Sequence, residues 1–228
     1  MPVTACVFDA YGTLFDVAGA ARAAAAEPGG AVLAEHWPRL AADWRDKQLA
    51  YTWLRAVAGA HADFWQVTTE ALDWALAAQG LTDPALRDRL LALYRRLPAY
   101  PEVPATLAAL QGQGRRCAIL SNGSPGMLAD AVASAGLDGR FEAVLSVEEV
   151  GVFKPHPSVY ALIEGRLGVA PRDTLFVSAN GWDAACASGF GLPTVWLNRA
   201  GAPRERLPWA PAHELPDLAP LPDLIRSL

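Results

Sequence analysis

The stretch VTACVFDAYGTLFD, residues 3–16, runs apolar and β-branched from Val3 to Phe8, stops at Asp9 and passes into a turn at Gly12. A short apolar run that ends in a polar residue is the pattern of a strand buried on both faces of a parallel sheet, so Asp9 is expected at its carboxyl end. Four later runs repeat the pattern: Cys117 to Leu120 before Ser121 and Asn122, Ala143 to Val147 before Glu148, Thr174 to Val177 before Ser178, and Thr194 to Leu197 before Asn198. Helical stretches lie between them, at Glu102 to Gln113, Met127 to Ala135 and Ser158 to Leu167. The alternation predicts an α/β fold, a Rossmann-like parallel sheet flanked by helices. Ligands of such sheets bind beyond the carboxyl ends of the strands, where these polar clusters collect.

Residues 16–97 read differently, with Ala, Leu, Trp and Arg at helical spacing and no convincing strand. They predict a helical cap subdomain, inserted into a core made of residues 1–15 and 98–228. Within it the tract Ala20 to Ala26 reads as helix, Glu27 to Gly30 (EPGG) as a break, and Leu81 to Pro84 as another helix start. A cap in this place can cover the strand ends and exclude water. The Pro-rich tail from Pro203 to Pro222 is expected to run over the surface.

A chain of 228 residues with 52% hydrophobic and 19% charged residues has the balance of a well-buried globular protein rather than a disordered one. Its net charge of -5 and dispersed Lys and Arg give no nucleic-acid signature. The N-terminus lacks a signal-peptide pattern, and every apolar run is interrupted short of a membrane span. The expectation is a soluble, cytoplasmic protein with no nucleic-acid or membrane partner. Cys6, Cys117 and Cys186 sit in apolar segments and read as buried free thiols. The four histidines show no metal-ligand spacing, and none is expected to be catalytic.

Four polar stations at four strand ends are hard to explain by turn chemistry alone: Asp9 to Asp16, Ser121-Asn122-Gly123, Lys154-Pro155, and Ser178 to Asp183. Taken singly each has a plainer reading. Asp9 could be a strand-ending turn residue, Lys154 a surface residue before a proline turn, and Ser121 a helix cap. In this order they resemble the haloacid dehalogenase superfamily, whose motifs are an Asp-led first loop, a Ser or Thr, a Lys, and an acidic fourth loop. The strings FDAYGTLFD from Phe8, WRDKQLAYTWLR from Trp44, ILSNGSP from Ile119, VFKPHPSVY from Val152 and FVSANGWDA from Phe176 look like the L-2-haloacid dehalogenases within it. The resemblance covers nearly the whole chain.

It implies hydrolysis of short-chain (S)-2-haloacids to (R)-2-hydroxyacids and halide, through an ester on Asp9 and with inversion at C2. Superfamily phosphatases place a second Asp two positions after the nucleophile to protonate the departing alkoxide, whereas Tyr11 stands there in this chain. A phenol is a poor acid at neutral pH, and a departing halide needs no proton. No cofactor and no metal are expected, since Asp9 and Asp183 are the only evident carboxylates of the site. An Asp nucleophile must be ionised, and an ammonium from Lys154 favours that form.

By resemblance, Arg45, Asn122 and Trp182 receive the halide, although Arg45 would otherwise read as a solvated helix-face charge. Ser121 and nearby backbone N–H groups hold the substrate carboxylate, aided by the following helix. Thr13, Ser178 and Asn180 orient Asp9 and the hydrolytic water, which Asp183 or a neighbour activates, and Tyr160 holds Lys154. Tyr11, Leu49, Phe64 and Trp182 wall the alkyl chain. Relatives usually carry Gln after the cap arginine where this chain has Asp46, an acid that could steady the guanidinium or repel an anionic substrate. Relatives are commonly homodimers, and one is expected here. Two rival readings are a metal-dependent phosphotransferase or phosphonate hydrolase of the same superfamily, and a binding protein without enzymatic activity.

Overall fold

Ala5, Cys6, Val7 and Phe8 form β1 (Ala5–Phe8), and all four are fully buried because the strand has a neighbour on each side and helices on each face. The computed structural model describes residues 3–19, 22, 25, 26 and 31–228, so the expected break at Glu27 to Gly30 and most of the Ala20 to Ala26 tract lie outside the described residues. The other strands are β2 (Arg116–Ser121), β3 (Ala143–Ser146), β4 (Thr174–Ser178), β5 (Thr194–Leu197) and β6 (His213–Leu215). All pair in parallel in the order β3-β2-β1-β4-β5-β6. The order reverses beside β1, so Asp9 stands at the crevice where such sheets bind ligands.

Eight α-helices are found among the described residues. Three precede β2's own helix: α1 (Ala31–Ala58), α2 (Phe64–Ala78) and α3 (Pro84–Tyr94). The rest flank the sheet: α4 (Val103–Gly112), α5 (Pro125–Ser134), α6 (Pro157–Leu167), α7 (Gly181–Phe190) and α8 (Leu221–Ser227). The chain leaves the sheet and returns to it side by side: Asp16 N–H donates to the Pro98 carbonyl at 2.9 Å and Tyr100 N–H to the Leu14 carbonyl at 3.0 Å.

α1 buries Leu33, Trp37, Leu40, Trp44, Gln48 and Thr52 at steps of three or four, a continuous stripe for a 3.6-residue helix. It packs on α2, which buries Phe64, Val67, Thr68, Ala71, Leu72, Ala75 and Leu76, and the Trp44 indole N–H donates to the Thr68 carbonyl at 2.8 Å. A tight turn joins these helices. It is made by Gly59, at φ +64°, and by Asp63, whose carboxylate takes the Trp65 and Gln66 N–H groups.

Three expectations need correction. The Pro-rich tail is exposed over residues 201–210, but beyond them it adds β6 to the sheet and then enters α8, which buries Leu221, Pro222 and Ile225. A three-residue edge strand with one partner is too short to announce itself by alternation. Val147 opens a 3₁₀ turn, Val147–Glu149, instead of ending β3, because the Ser146 hydroxyl accepts the Glu148 N–H and bends the chain there. Cys6 and Cys117 are buried free thiols, whereas Cys186, within α7, is only half-buried.

Candidate active site

Asp9 N–H donates to the Val177 carbonyl at 2.9 Å, so the loop after β1 is tied to the end of β4 before any side chain is considered. Gly12, at φ +84°, turns the chain back, and its N–H bonds the Phe15 carbonyl at 2.8 Å. The turn brings the Thr13 hydroxyl to Asp9 Oδ2 at 3.1 Å, and the same hydroxyl oxygen accepts the Ala179 N–H at 2.8 Å. Asn180 Nδ2 donates to Asp9 Oδ2 at 3.0 Å, while Asp9 Oδ1 faces Lys154 Nζ at 3.1 Å. Arg199, outside the sequence-predicted set, donates to the Thr13 carbonyl at 3.0 Å and pairs with Glu102.

Lys154 is 1% exposed and its ammonium also reaches Asp183 Oδ2 at 2.9 Å, with the Phe176 ring centroid 4.9 Å away. Burial disfavours the ammonium, but the carboxylates of Asp183 and Asp9 outweigh it and hold the Lys154 pKa above its ordinary value. For Asp183 burial dominates: it raises the carboxyl, Asp9 adds to the rise, and Lys154 opposes it. The Tyr160 hydroxyl donates to Asp183 Oδ1 at 2.7 Å, and burial followed by the charge of Asp183 pushes its pKa well above 10.0, so it stays a donor. Tyr160 therefore holds Asp183 and reaches Lys154 only through it, which corrects the expected direct contact.

β2 delivers Ser121 and Asn122. Ser121 Oγ accepts the Gly123 N–H at 3.1 Å, and the N-cap of α5 is Ser124, so Ser121 closes the strand end rather than capping the helix. Asn122 Oδ1 accepts the Lys154 backbone N–H at 2.9 Å, which leaves its NH2 end for a ligand. Ser178 Oγ accepts the Asn180 N–H at 3.2 Å at the end of β4 and does not touch Asp9.

Arg45 and Leu49, at i and i+4 beside the buried stripe of α1, lie at the seam between helices and sheet. Arg45 Nη2 donates to Asn180 Oδ1 at 2.9 Å and Nη1 to Gln48 Oε1 at 2.9 Å. A small cavity is enclosed by Asp9, Tyr11, Arg45, Leu49, Phe64, Ser121, Asn122, Lys154, Asn180 and Trp182. Thr13, Tyr160, Ser178 and Asp183 stand behind that wall. Tyr11, Arg45 and Asn180 also border a larger apolar cavity of about 430 Å³ that touches neither Asp9 nor Lys154. Asp46 is exposed, so it neither pairs with Arg45 nor lines the cavity.

Phe64 is held from the sheet side: its N–H donates to Glu148 Oε1 at 3.3 Å, and Glu148 Oε2 lies 2.9 Å from His61 Nε2. Glu148 stands in the sequence patterns only as a strand-ending residue and Gln48 only within the string from Trp44, one helical turn after Arg45; the sequence assigns neither to the site. No group of three or more His, Cys, Asp or Glu side chains able to hold a metal ion occurs among the described residues. Between the two carboxylates stands an ammonium.

Residues 3–191 match the family of haloacid dehalogenase-like hydrolases. The chain is 43% identical over 228 residues to (S)-2-haloacid dehalogenase 1 of Pseudomonas sp. strain CBS-3, spanning 100% of this chain and 98% of that protein. It is 48% identical to the (S)-2-haloacid dehalogenase of Xanthobacter autotrophicus over 86% of this chain and 76% of that one. The structure of the L-2-haloacid dehalogenase from Xanthobacter autotrophicus with chloropropionic acid covalently bound superimposes with a TM-score of 0.87 at 41% identity, covering 99% of both chains.

Proposed function

The chain belongs to the haloacid dehalogenase-like hydrolases, and from that premise we propose that it converts short (S)-2-haloacids to (R)-2-hydroxyacids and halide through an ester on Asp9. The observation that carries the mechanism is the buried Lys154 ammonium held between Asp9 and Asp183 at 3.1 and 2.9 Å. It favours the ionised nucleophile in a dry site, where each charge contact counts for more. Tyr11 at the cavity wall offers no usable acid, and halide departure requires none.

In the first displacement an Asp9 carboxylate oxygen bonds to C2 from behind the carbon–halogen bond. That bond breaks, its electron pair leaves with the halide toward Arg45, Asn122 and the Trp182 ring, and C2 inverts. Ser121 and the backbone N–H groups after β2 hold the substrate carboxylate. Water then attacks the aspartyl carbonyl carbon and gives a proton to Asp183 or a neighbour; the ester C–O bond breaks, that proton passes to the departing oxygen, and the hydroxyacid leaves with the oxygen Asp9 supplied. Thr13 and Asn180 orient Asp9 and the water, Ser178 holds the Asn180 backbone, Tyr160 steadies Asp183, and Leu49, Phe64 and Tyr11 shape the space for the alkyl chain. Residues 16–97 act as a cap that keeps bulk water from the ester.

A single turnover with excess enzyme in oxygen-18 water tests this chemistry. The expected product from (S)-2-chloropropionate is unlabelled, the label sits in the Asp9 peptide, and (R)-2-chloropropionate does not react. Label in the first-turnover product would refute the ester route. Halide release is expected to continue in EDTA.

The protein is further proposed to act in the cytoplasm, where the free thiols of Cys6 and Cys117 would persist. Among the described residues no helix is long and apolar enough to cross a membrane. A homodimer is supported by Trp53, Leu54 and Val57, exposed together at the end of α1, with Val57 at 91%. Sedimentation of a Val57→Asp variant tests it: a monomeric variant from a dimeric parent is expected.

A further inference from the structure

We infer that Gln48 is a positioning residue for halide departure: its side-chain amide fixes the Arg45 guanidinium over the cleft without neutralising its charge. The inference rests on the reading of Arg45 as the receiver of the halide.

Gln48 occupies a position in the buried stripe of α1 where an aliphatic side chain would be ordinary, and it is 1% exposed. A buried amide is unfavourable unless both its ends are matched, and here they are. Its Oε1 accepts Arg45 Nη1 at 2.9 Å, and its Nε2 donates to Thr68 Oγ1 at 2.8 Å and to the Tyr94 hydroxyl at 3.1 Å. The orientation of the amide is forced. Thr68 gives its only proton to the Phe64 carbonyl at 2.6 Å, so it can only accept from Gln48, and a guanidinium can only donate.

Beyond Arg45 the line continues: Nη2 donates to Asn180 Oδ1 at 2.9 Å, and Asn180 Nδ2 donates to Asp9 Oδ2 at 3.0 Å. Both amines of the guanidinium face are thus held by neutral carbonyl oxygens, and no ion pair to Arg45 occurs among the described residues. A carboxylate at position 48 would hold the guanidinium equally well but would pair its charge. An amide leaves that charge to meet the electron pair that departs with the halogen as the bond from Asp9 to C2 forms.

Chloride is a poorer leaving group than bromide and depends more on its receiver, so the leaving group reports on this role where a merely structural one would not. Single-turnover halide release from (S)-2-chloropropionate and (S)-2-bromopropionate is measured for the parent, Arg45→Ala, Gln48→Met and Gln48→Glu, with thermal melts alongside. Arg45→Ala is expected to slow chloride release more than bromide release. Gln48→Met shifts the ratio in the same sense, slowing chloride release by about 10- to 100-fold, the scale of a misplaced reacting group. Gln48→Glu also raises the bromide-to-chloride ratio, and it decides the matter if Gln48→Met does not fold. A ratio unchanged in the Gln48 variants but raised in Arg45→Ala overturns the inference and spares the halide reading. A ratio unchanged in Arg45→Ala refutes that reading, and the inference falls with it.

Discussion

Replacing Lys154 by Met keeps a long side chain in place and removes the ammonium that touches Asp9 Oδ1 and Asp183 Oδ2 at 3.1 and 2.9 Å. Those distances put the two oxygens no more than about 6 Å apart. At an effective dielectric of about 20, two unit charges at that separation repel by about 2.8 kcal/mol, or about 2 pK units. Both carboxylates keep neutral donors, Asp9 from Thr13 and Asn180 and Asp183 from Tyr160, so the pair loses its counter-charge but not all its hydrogen bonds. One of them will therefore hold a proton well above the ordinary carboxylate range.

The native variant then binds a proton that the unfolded chain releases near pH 4, so its stability falls as pH rises, by about 1.4 kcal/mol per unit, until the shared proton is lost. Relative to the parent, whose ammonium opposes the rise that burial imposes on Asp183, the variant should lose about 3–5 kcal/mol at pH 8 and distinctly less at pH 5. Urea midpoints for both proteins at pH 5, 6, 7 and 8, with equal m-values, measure the difference. A deficit that is flat across this range, or larger at pH 5, would mean that the carboxylates do not share the ammonium, and the argument for an activated Asp9 would collapse with it.

Three other outcomes are expected. Because Lys154 is raised above its ordinary value of 10.5, its charge and the stability it contributes are present below that pH and lost above it. Single-turnover halide release should hold level from pH 7 to 10 and decline only beyond, and a descending limb near pH 9 would contradict this. Glu148→Ala removes the acceptor of the Phe64 N–H and the partner of His61, so KM for (S)-2-chloropropionate should rise severalfold while the fold loses about 1 kcal/mol, read by urea titration. Asp46→Gln, at an exposed position, should leave the single-turnover rate within about twofold, with any change confined to KM among substrates.

The strands were legible because β1, β2, β4 and β5 are buried on both faces and read as unbroken apolar runs that stop where the polar loop begins. The same stops mark Asp9, Ser121 and Ser178 as strand-end residues. Contacts made across the seam were not legible. Arg45 meets Asn180 over 135 positions of sequence and His61 meets Glu148 over 87, and nothing local requires either pairing. Gln48 illustrates the difficulty: its hydrophilicity contradicts its place in the stripe, and only the positions of Thr68, Tyr94 and Arg45 explain it. The resemblance puts Lys154, Tyr160 and Asp183 in one site without showing which two touch, and the Tyr160 hydroxyl meets one Asp183 oxygen while Lys154 meets the other.

Position 11 separates the chemistry open to this site from that of its phosphate-cleaving relatives. Burial, then Tyr94, then Asp9 push the Tyr11 hydroxyl well above 10.0, and among the described residues it has no hydrogen-bond partner. Its ring meets Tyr94 at 5.5 Å, Phe64 at 6.0 Å and Phe15 at 6.4 Å between centroids, an apolar contact set that stabilises the ring and offers nothing to a carboxylate. An acid in this place would sit unsolvated near Asp9 and compete with it for the one nearby ammonium. With the phenol instead, Lys154 divides its charge only between Asp9 and Asp183, and no side chain at position 11 can hand a proton to an alkoxide at neutral pH. In the first displacement a leaving group that departs as the conjugate base of a strong acid needs no such proton, and the oxygen released later from the ester takes the one that the attacking water gave up, so a second carboxylate at position 11 is not required.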